Sequence, residues 1–292
     1  MKVAVTGATG LVGRKTVEHL KSSGFEVIPL TRNIEEGYIS TDYSIESLTS
    51  IFKNIDAVVH LAAKRDGNSK TYKNFQINEN LTENILIAMR YSNRCKKIIY
   101  MSSISVYSGE SDLPWGEETL PRPVGGYGLS KLACEHLCRI YQKFGINYTV
   151  LRCAHILGIE EKGYMLSMFM SRAYRHEQIC VIGKSVAKRE FIYVKDVANA
   201  IVWALTSDQG INRTFNLGYG KGYTNLQIAS LINQAFGNEG NLKYQSDKLE
   251  GIQSSYTNVN RIYEAGFRPS FSIETSMKDL YQEYCETQTC DI

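Results

Sequence analysis

The first thirteen residues constrain this chain more than any other stretch. A short apolar run, Lys2 to Val5, leads into Thr6-Gly7-Ala8-Thr9-Gly10-Leu11-Val12-Gly13, and an apolar spacing of helical period runs from Leu11 to His19. The run reads as a buried strand and the spacing as a helix, so Gly7, Gly10 and Gly13 fall where the backbone must reverse between them. Glycine permits the positive φ of such a reversal and lets backbone N–H groups approach a pyrophosphate at the helix N-terminus. An ordinary Gly-rich turn would carry the same residues. The position of this one, at the first strand-to-helix step, favours a dinucleotide-binding unit.

The pattern then repeats. Strands are expected at Glu26 to Leu30, Ala57 to Leu61, Lys97 to Ser102 and Tyr148 to Leu151, with helices between them. That alternation predicts an α/β fold built on a doubly wound parallel sheet, with Gly7, Thr31, Ala62 and Ser103 along one rim. Beyond about residue 155 the alternation becomes irregular, with helices expected at Met165 to His176, Val194 to Thr206 and Asn225 to Phe236. The expected division is a dinucleotide-binding domain over residues 1–155 with returning segments near 188–215, and a smaller mixed α/β substrate lobe over about 156–187 and 216–292.

Composition narrows the function classes. A net charge of +3, from 33 basic and 30 acidic residues without a basic stripe, argues against nucleic acid as the main partner. The seven cysteines include no Cys-x-x-Cys pair and lie mostly in apolar stretches, which reads as reduced core thiols. Cys134 and Cys138 stand one helical turn apart without clustered His or Cys partners, so no metal is expected. With no leader and no long apolar span, the expectation is a cytoplasmic protein that does not enter a membrane.

A second cluster begins where Met101-Ser102-Ser103-Ile104-Ser105-Val106-Tyr107 ends a strand, followed by Tyr127-Gly-Leu-Ser-Lys131 at the start of a helical pattern. Tyr and Lys four apart share a helical face. Among 19 tyrosines about one such pair is expected by chance, and Tyr244 with Lys248 is a second. Only the first follows a Gly-rich turn and a Ser-bearing strand end, so the second is read as a surface coincidence.

These elements together resemble the extended short-chain dehydrogenases/reductases, the NAD(P)-dependent nucleotide-sugar epimerases, dehydratases and reductases. The resemblance spans the chain: Thr6-Gly7-x-x-Gly10-x-x-Gly13, Asp42, His60-Leu61-Ala62-Ala63, Asn78, Ser103 four residues before Tyr107, Tyr127 with Lys131, Leu151-Arg152, and Arg189-Glu190-Phe191-Ile192-Tyr193-Val194-Lys195-Asp196. It implies a Rossmann-type domain and a catalytic set of Ser103, Tyr127 and Lys131. Tyr127 would exchange a proton with a sugar hydroxyl while the nicotinamide takes or gives a hydride, and Ser103 would hydrogen-bond the same oxygen. A tyrosine has a pKa near 10, so a phenolate at neutral pH needs a cation nearby, which Lys131 and the oxidised nicotinamide ring can supply. The implied cofactor contacts are Gly7, Thr9, Gly10, Leu11, Val12, Gly13, Arg32, Asp42, Tyr43, Leu61, Ala62, Ala63, Asn78, Met101, Tyr127 and Lys131. The implied substrate contacts are Lys64, Ser103, Tyr127, His155 and Arg189.

Departures from the family pattern refine this. Pro29-Leu30-Thr31-Arg32 lacks the acidic residue that accepts a ribose 2′-hydroxyl, and Arg32 can pair with a 2′-phosphate, so NADP is expected over NAD. Ile104 and Ser105 replace the Asp-Glu of dehydratases, which leaves chemistry at one carbinol carbon, most simply C4. His155 stands where an amide usually touches substrate phosphate, either as a hydrogen-bond donor or as an inert core histidine. Arg189 is the expected diphosphate ligand, and an Arg and an Asp often found in the C-terminal lobe are missing around Lys248 to Ile252. The leading expectation is a C4 epimerase of a nucleoside-diphosphate sugar. The alternatives are an NADPH-dependent 4-keto-sugar reductase and a non-catalytic NAD(P) sensor or scaffold. A homodimer through the helices about Tyr72 to Tyr91 and Tyr127 to Phe144 is the default.

Overall fold

The computed structural model describes every residue except 66–70, 110, 160–164, 249–250, 252 and 290–292. The chain runs β1 (Lys2–Thr6), α1 (Leu11–Ser22), β2 (Glu26–Thr31), β3 (Ile39–Ser40), α2 (Ile45–Phe52), β4 (Ala57–His60), α3 (Gln76–Tyr91), β5 (Lys97–Ser103), α4 (Gly126–Tyr141) and β6 (Asn147–Cys153). After this the alternation relaxes into β7 (His155–Leu157), α5 (Met165–Tyr174), β8 (Ile179–Ile182), β9 (Lys188–Tyr193), α6 (Val194–Thr206) and β10 (Arg213–Leu217). The remainder is β11 (Gly222–Thr224), α7 (Asn225–Ala235), β12 (Leu242–Gln245), α8 (Asn260–Glu264) and α9 (Ile273–Thr289). Seven strands form one sheet in the order β10-β6-β5-β4-β1-β2-β3, and every pairing is parallel. Gly7, Thr31, Ala62 and Ser103 therefore share the rim at the strands' C-terminal ends.

Both faces of the sheet are buried, which is why its strands read as continuous apolar runs. Val3, Val5, Val59, Ile99 and Leu151 face Val17 and Leu20 of α1 and Val197, Ile201 and Ala204 of α6. The alternate residues Ala4, Val58, Ile98, Tyr100 and Val150 face Leu48 and Phe52 of α2, Ile85 and Met89 of α3, and Cys134 and Cys138 of α4. A separate core of Leu157, Phe169, Phe191, Tyr193, Ile228, Ile232, Met277 and Leu280 lies among α5, α7 and α9, beside a three-stranded sheet β11-β9-β7 and a two-stranded pair β12-β8. Among the described residues no helix is long and apolar enough to cross a membrane.

The seven-stranded sheet has two strands beyond those the apolar runs announce. β3 has two exposed residues, and β10 carries Asn216, whose side chain is spent on hydrogen bonds rather than apolar packing. Tyr244 lies in the strand β12, half-exposed, with its hydroxyl on the Lys184 carbonyl, so its spacing from Lys248 has no helical meaning.

One polar cluster inside this apolar frame fixes α4 on the sheet. Tyr127, Lys131 and Glu135 follow one another at four-residue intervals on the buried face of α4. Glu135 is fully buried, and the almost fully buried Arg152 of β6 meets it with Nη2 at 2.7 Å from Oε2 and Nε at 3.0 Å from Oε1. Ser102 Oγ donates to Glu135 Oε1 at 2.5 Å. The second guanidinium nitrogen donates to the Tyr107 hydroxyl at 2.8 Å, and Tyr107 donates to Asn216 Oδ1 at 2.8 Å. Asn216 Nδ2 then donates to the Trp115 and Asn258 carbonyls at 2.9 and 3.1 Å. A buried pair with its remaining valences satisfied holds position, whereas removal of one partner strands a charge. Glu135→Ala should therefore lower the unfolding free energy by about 3–5 kcal/mol, read as an earlier urea midpoint. The double substitution Glu135→Leu with Arg152→Met should recover much of the loss, and a single-variant loss below about 1 kcal/mol would contradict this account.

Candidate active site

The turn after β1 is built by contact. Gly7 has φ +67°, and a Cβ there would lie 2.7 Å from the Ala62 nitrogen at the end of β4. A Cβ on Gly13 would overlap the Gly7 carbonyl oxygen. Gly10 is the N-cap of helix α1 and offers no side-chain cap, which leaves the N–H groups of the first turn facing outward at the rim. A cleft of about 520 Å³ opens here, lined by Gly7, Thr9, Gly10, Arg32, Tyr43, Leu61, Ala62, Ala63, Lys64 and Asn78 among others. A hollow of about 300 Å³ along the first turn adds Leu11, Val12, Gly13 and Arg65.

Polar side chains brace the cleft from behind. The buried Asn78 accepts from the Lys64 N–H at 2.6 Å and donates to the Lys64 carbonyl and to Ser130 Oγ, each at 3.1 Å. Arg32 is exposed at the end of β2, its guanidinium 5.7 Å from the Tyr43 ring centroid. Asp42 is also exposed, but it does not line the cleft. Its carboxylate accepts from Ser44 N at 2.9 Å, which holds it below the usual carboxylate range.

The Tyr-Lys face of α4 meets the rim beside β5. Gly128 lies so close to the Ser105 carbonyl that a Cβ would overlap it, so the helix rests on the turn that follows Ser103. Ser103 Oγ accepts from Ser105 N and lies 3.1 Å from Ser105 Oγ. The buried Lys131 donates from Nζ to the Met101 carbonyl at 2.6 Å, and its ammonium stands 4.9 Å from the Tyr100 ring centroid and 5.7 Å from that of Tyr127. Burial pushes Lys131 down to about 8. Burial also pushes the Tyr127 phenol up to about 12, against the opposing charge of Arg65. Met101 thus reaches the site through its carbonyl, behind the cleft.

Tyr127 also borders a second pocket, of about 330 Å³, with Tyr107, Trp115, His155 and Gln253 to Ser255. The His155 ring packs on Phe191 at 5.7 Å, and burial, then the charge of Arg189, push it down to about 4. Arg189 stands behind this wall, donating to Asn225 Oδ1 at 2.7 Å. The strap carrying Gln253 to Ser255 is held mostly through its main chain, with Ser254 Oγ accepting from Lys188 N at 3.0 Å. Ser255 N donates to the Lys188 carbonyl at 2.7 Å, Glu190 N to the Ser255 carbonyl at 2.9 Å, and Trp115 N to the Tyr256 carbonyl at 3.0 Å.

Residues 3–218 match the NAD dependent epimerase/dehydratase family. The chain belongs to this family. It is similar to UDP-N-acetylglucosamine 4-epimerase from Bacillus cereus, with 40% identity, coverage of 97% of this chain and 99% of that one, and a TM-score of 0.90. It is also similar to UDP-glucose 4-epimerase from Thermotoga maritima, with 25% identity, coverage of 99% and 100%, and a TM-score of 0.87. A third relative, GDP-6-deoxy-D-talose 4-dehydrogenase from Aggregatibacter actinomycetemcomitans, is 30% identical over 80% of this chain and 79% of its own length.

As a family member the chain is an enzyme that uses a nicotinamide cofactor, and its residues fit one. The positive-φ turn at Gly7, the space a side chain on Gly7 or Gly13 would fill, and the uncapped start of α1 together suit a pyrophosphate. Sequence reasoning passed over Glu135 and Gly128, although the interval of four from Lys131 to Glu135 and the place of Gly128 beside Tyr127 were visible. Gly7→Ala should raise the Kd for dinucleotide by about tenfold or more, since the new methyl group forces the turn off β4. Isothermal titration tests this, and an unchanged Kd would refute the steric reading.

Proposed function

We propose that this enzyme is a C4 epimerase of a nucleoside-diphosphate sugar, with UDP-linked hexoses and N-acetylhexosamines as the substrate class. The observation that carries the reading is the position of Tyr127, on the helical face of Lys131 and at the border of the 330 Å³ pocket. The 40% identity to a UDP-N-acetylglucosamine 4-epimerase supports the substrate class. Under this reading the domain around the seven-stranded sheet, residues 1–155 with segments near 188–215, holds the dinucleotide. The lobe over about 156–187 and 216–292 holds the sugar nucleotide. His155 and Arg189 are then candidates for its phosphates, and Lys64 for the mouth of the site. The exposed Tyr91 on α3 and Leu129 and Ile140 on α4 support a homodimer through those helices.

The nicotinamide, when bound, supplies the acceptor and then the donor of the C4 hydride. Tyr127 as phenolate takes the O4 proton as C4 becomes a ketone, and gives it back after the sugar has presented its other face. Ser103 holds O4 in line, and Lys131 keeps the Tyr127 side of the site positive. Lys131 donates to the Met101 carbonyl, and burial pushes the Tyr127 phenol up to about 12. A positive charge beside Tyr127 favours the phenolate and lowers that pKa. Tyr127 followed by ring-carbon NMR should therefore titrate lower with oxidised dinucleotide bound than with reduced. Equal values in the two states would remove the electrostatic basis of the mechanism.

Arg32 at the cleft, without an acidic neighbour at the end of β2, favours NADP over NAD. Arg32→Ala should weaken NADPH by about tenfold and leave NADH within about twofold. A second reading, a 4-keto-sugar reductase, draws on the same arginine and on the 30% identical 4-dehydrogenase. The deciding experiment offers UDP-, dTDP- and GDP-sugars and their 4-keto derivatives with each cofactor, following nicotinamide absorbance and product NMR. Inversion at C4 without net cofactor consumption supports the epimerase, and stoichiometric loss of NADPH supports the reductase. Tyr127→Phe should cut kcat by about 10²–10⁴-fold while dinucleotide still binds. Turnover that survives this change would overturn both catalytic readings.

A further inference from the structure

The sequence places His60 at the end of β4, within His60-Leu61-Ala62-Ala63, and the mechanism above gives it no task. Its ring is almost fully buried and packs against Tyr100, with ring centroids 5.5 Å apart. Both ring nitrogens are engaged, and the partners fix the direction of each bond. Thr6 Oγ1 accepts from the N–H groups of Leu61 and Ala62, each at 3.2 Å. Its own hydrogen is left for His60 Nδ1, at 2.8 Å. Nδ1 is therefore bare, and a neutral ring carries its hydrogen on Nε2, 3.0 Å from Thr82 Oγ1. Thr82 passes its own hydrogen on to the Asn78 carbonyl at 2.8 Å.

Each end of this chain of bonds reaches a working part of the site. Ala62 N, held by Thr6, is the atom against which Gly7 is seated. Asn78 binds Lys64 at the cleft and Ser130 on α4, and Ser130 Oγ donates to the Tyr127 carbonyl at 2.8 Å. We propose that His60, as the neutral Nε2–H tautomer, is a positioning residue that joins the dinucleotide-binding turn and the first turn of α4 into one hydrogen-bonded unit. Burial and the nearby Lys131 ammonium push the imidazole down to about 3. Of the other titratable groups on the elements around it, Tyr100 and Cys134 are buried and held neutral, and Glu135 is paired with Arg152. A protonated ring would place a second hydrogen against Thr6 and break the direction of the chain.

The proposal takes from the preceding section only that the cleft holds a dinucleotide, so its test needs no sugar. Imidazole nitrogen NMR of the wild-type protein should show a bare Nδ1 and a protonated Nε2, unchanged from about pH 5 to about pH 8. His60→Asn sets an amide oxygen near the Nδ1 position and keeps the Thr6 bond, whereas His60→Gln reaches the Nε2 position and keeps only the Thr82 bond. The Kd for dinucleotide should stay within about threefold of wild type in His60→Asn. It should rise about tenfold in His60→Gln and His60→Phe, because the released turn spends most of its time in other arrangements. A purely structural histidine would move thermal stability and leave the Asn and Gln variants with the same Kd. That result, an Nδ1–H tautomer, or titration of the ring within this pH range would overturn the proposal. The wild-type spectrum decides on its own if the variants do not fold. A failure of the sugar assignment leaves both measurements standing.

Discussion

The Arg152–Glu135 pair is the constraint on which the rest of the site depends. Two opposite charges are taken out of water between β6 and α4, and the cost of their desolvation is offset only while both are present and their outer valences are met. Ser102, Tyr107 and Asn216 meet them. The network therefore ties one helix to three adjacent strands, β5, β6 and β10, and to the segments at Trp115 and Asn258. Two turns of α4 separate Glu135 from Tyr127. Anchoring at one end of that distance and close backbone contact at the other, where Gly128 meets Ser105, leave the phenol little freedom to wander. Lys131 sits between the two anchors, its ammonium on a backbone carbonyl and an aromatic face.

Much of this was legible in the chain because the chemistry of the backbone demanded particular residues. Gly7 and Gly13 are glycines for a steric reason, and the strands at Ala57 and Lys97 are apolar throughout because both of their faces are covered. Such requirements leave marks in sequence. Where stability comes from polar groups satisfying one another, the marks fade. β10 is a central part of the network and yet reads as irregular, since Thr214 and Asn216 break the apolar run. Arg152 stood out within a motif, but its partner Glu135 was one acidic residue among many until the fold brought them together. The sequence admits two readings of His155, and the structure sets it in the pocket wall with its charge suppressed by burial and Arg189.

The segments after β10 are tied to β9 and α6 by a related device. Glu190, fully buried, accepts from Gly220 N, Thr257 N and Thr257 Oγ1 at 2.5, 2.8 and 2.6 Å, while burial pushes its carboxyl up to about 7. Asp196, at the start of α6, accepts from Ser270 N and Phe271 N at 2.6 and 3.2 Å and from the Tyr219 hydroxyl at 2.9 Å. Two buried acidic side chains thus collect donors from three distant stretches of chain, 219–220, 257 and 270–271. These tethers act together with the apolar packing of Val259, Ile262 and Phe267 against the core of the central sheet.

The strap at Gln253 to Ser255 follows a different rule. Apart from Ser254 Oγ, which accepts from Lys188 N at 3.0 Å, its bonds to Lys188, Glu190 and Trp115 run through backbone atoms, and backbone bonds do not depend on which side chain the residue bears. At Gln253 and Ser255 the far wall of the 330 Å³ pocket is therefore held mainly by bonds that do not specify a side chain, whereas the wall made by Tyr107, Tyr127 and α4 is tied to the buried ion pair. One wall of the pocket can thus vary in sequence at little cost to the fold, and the opposite wall cannot.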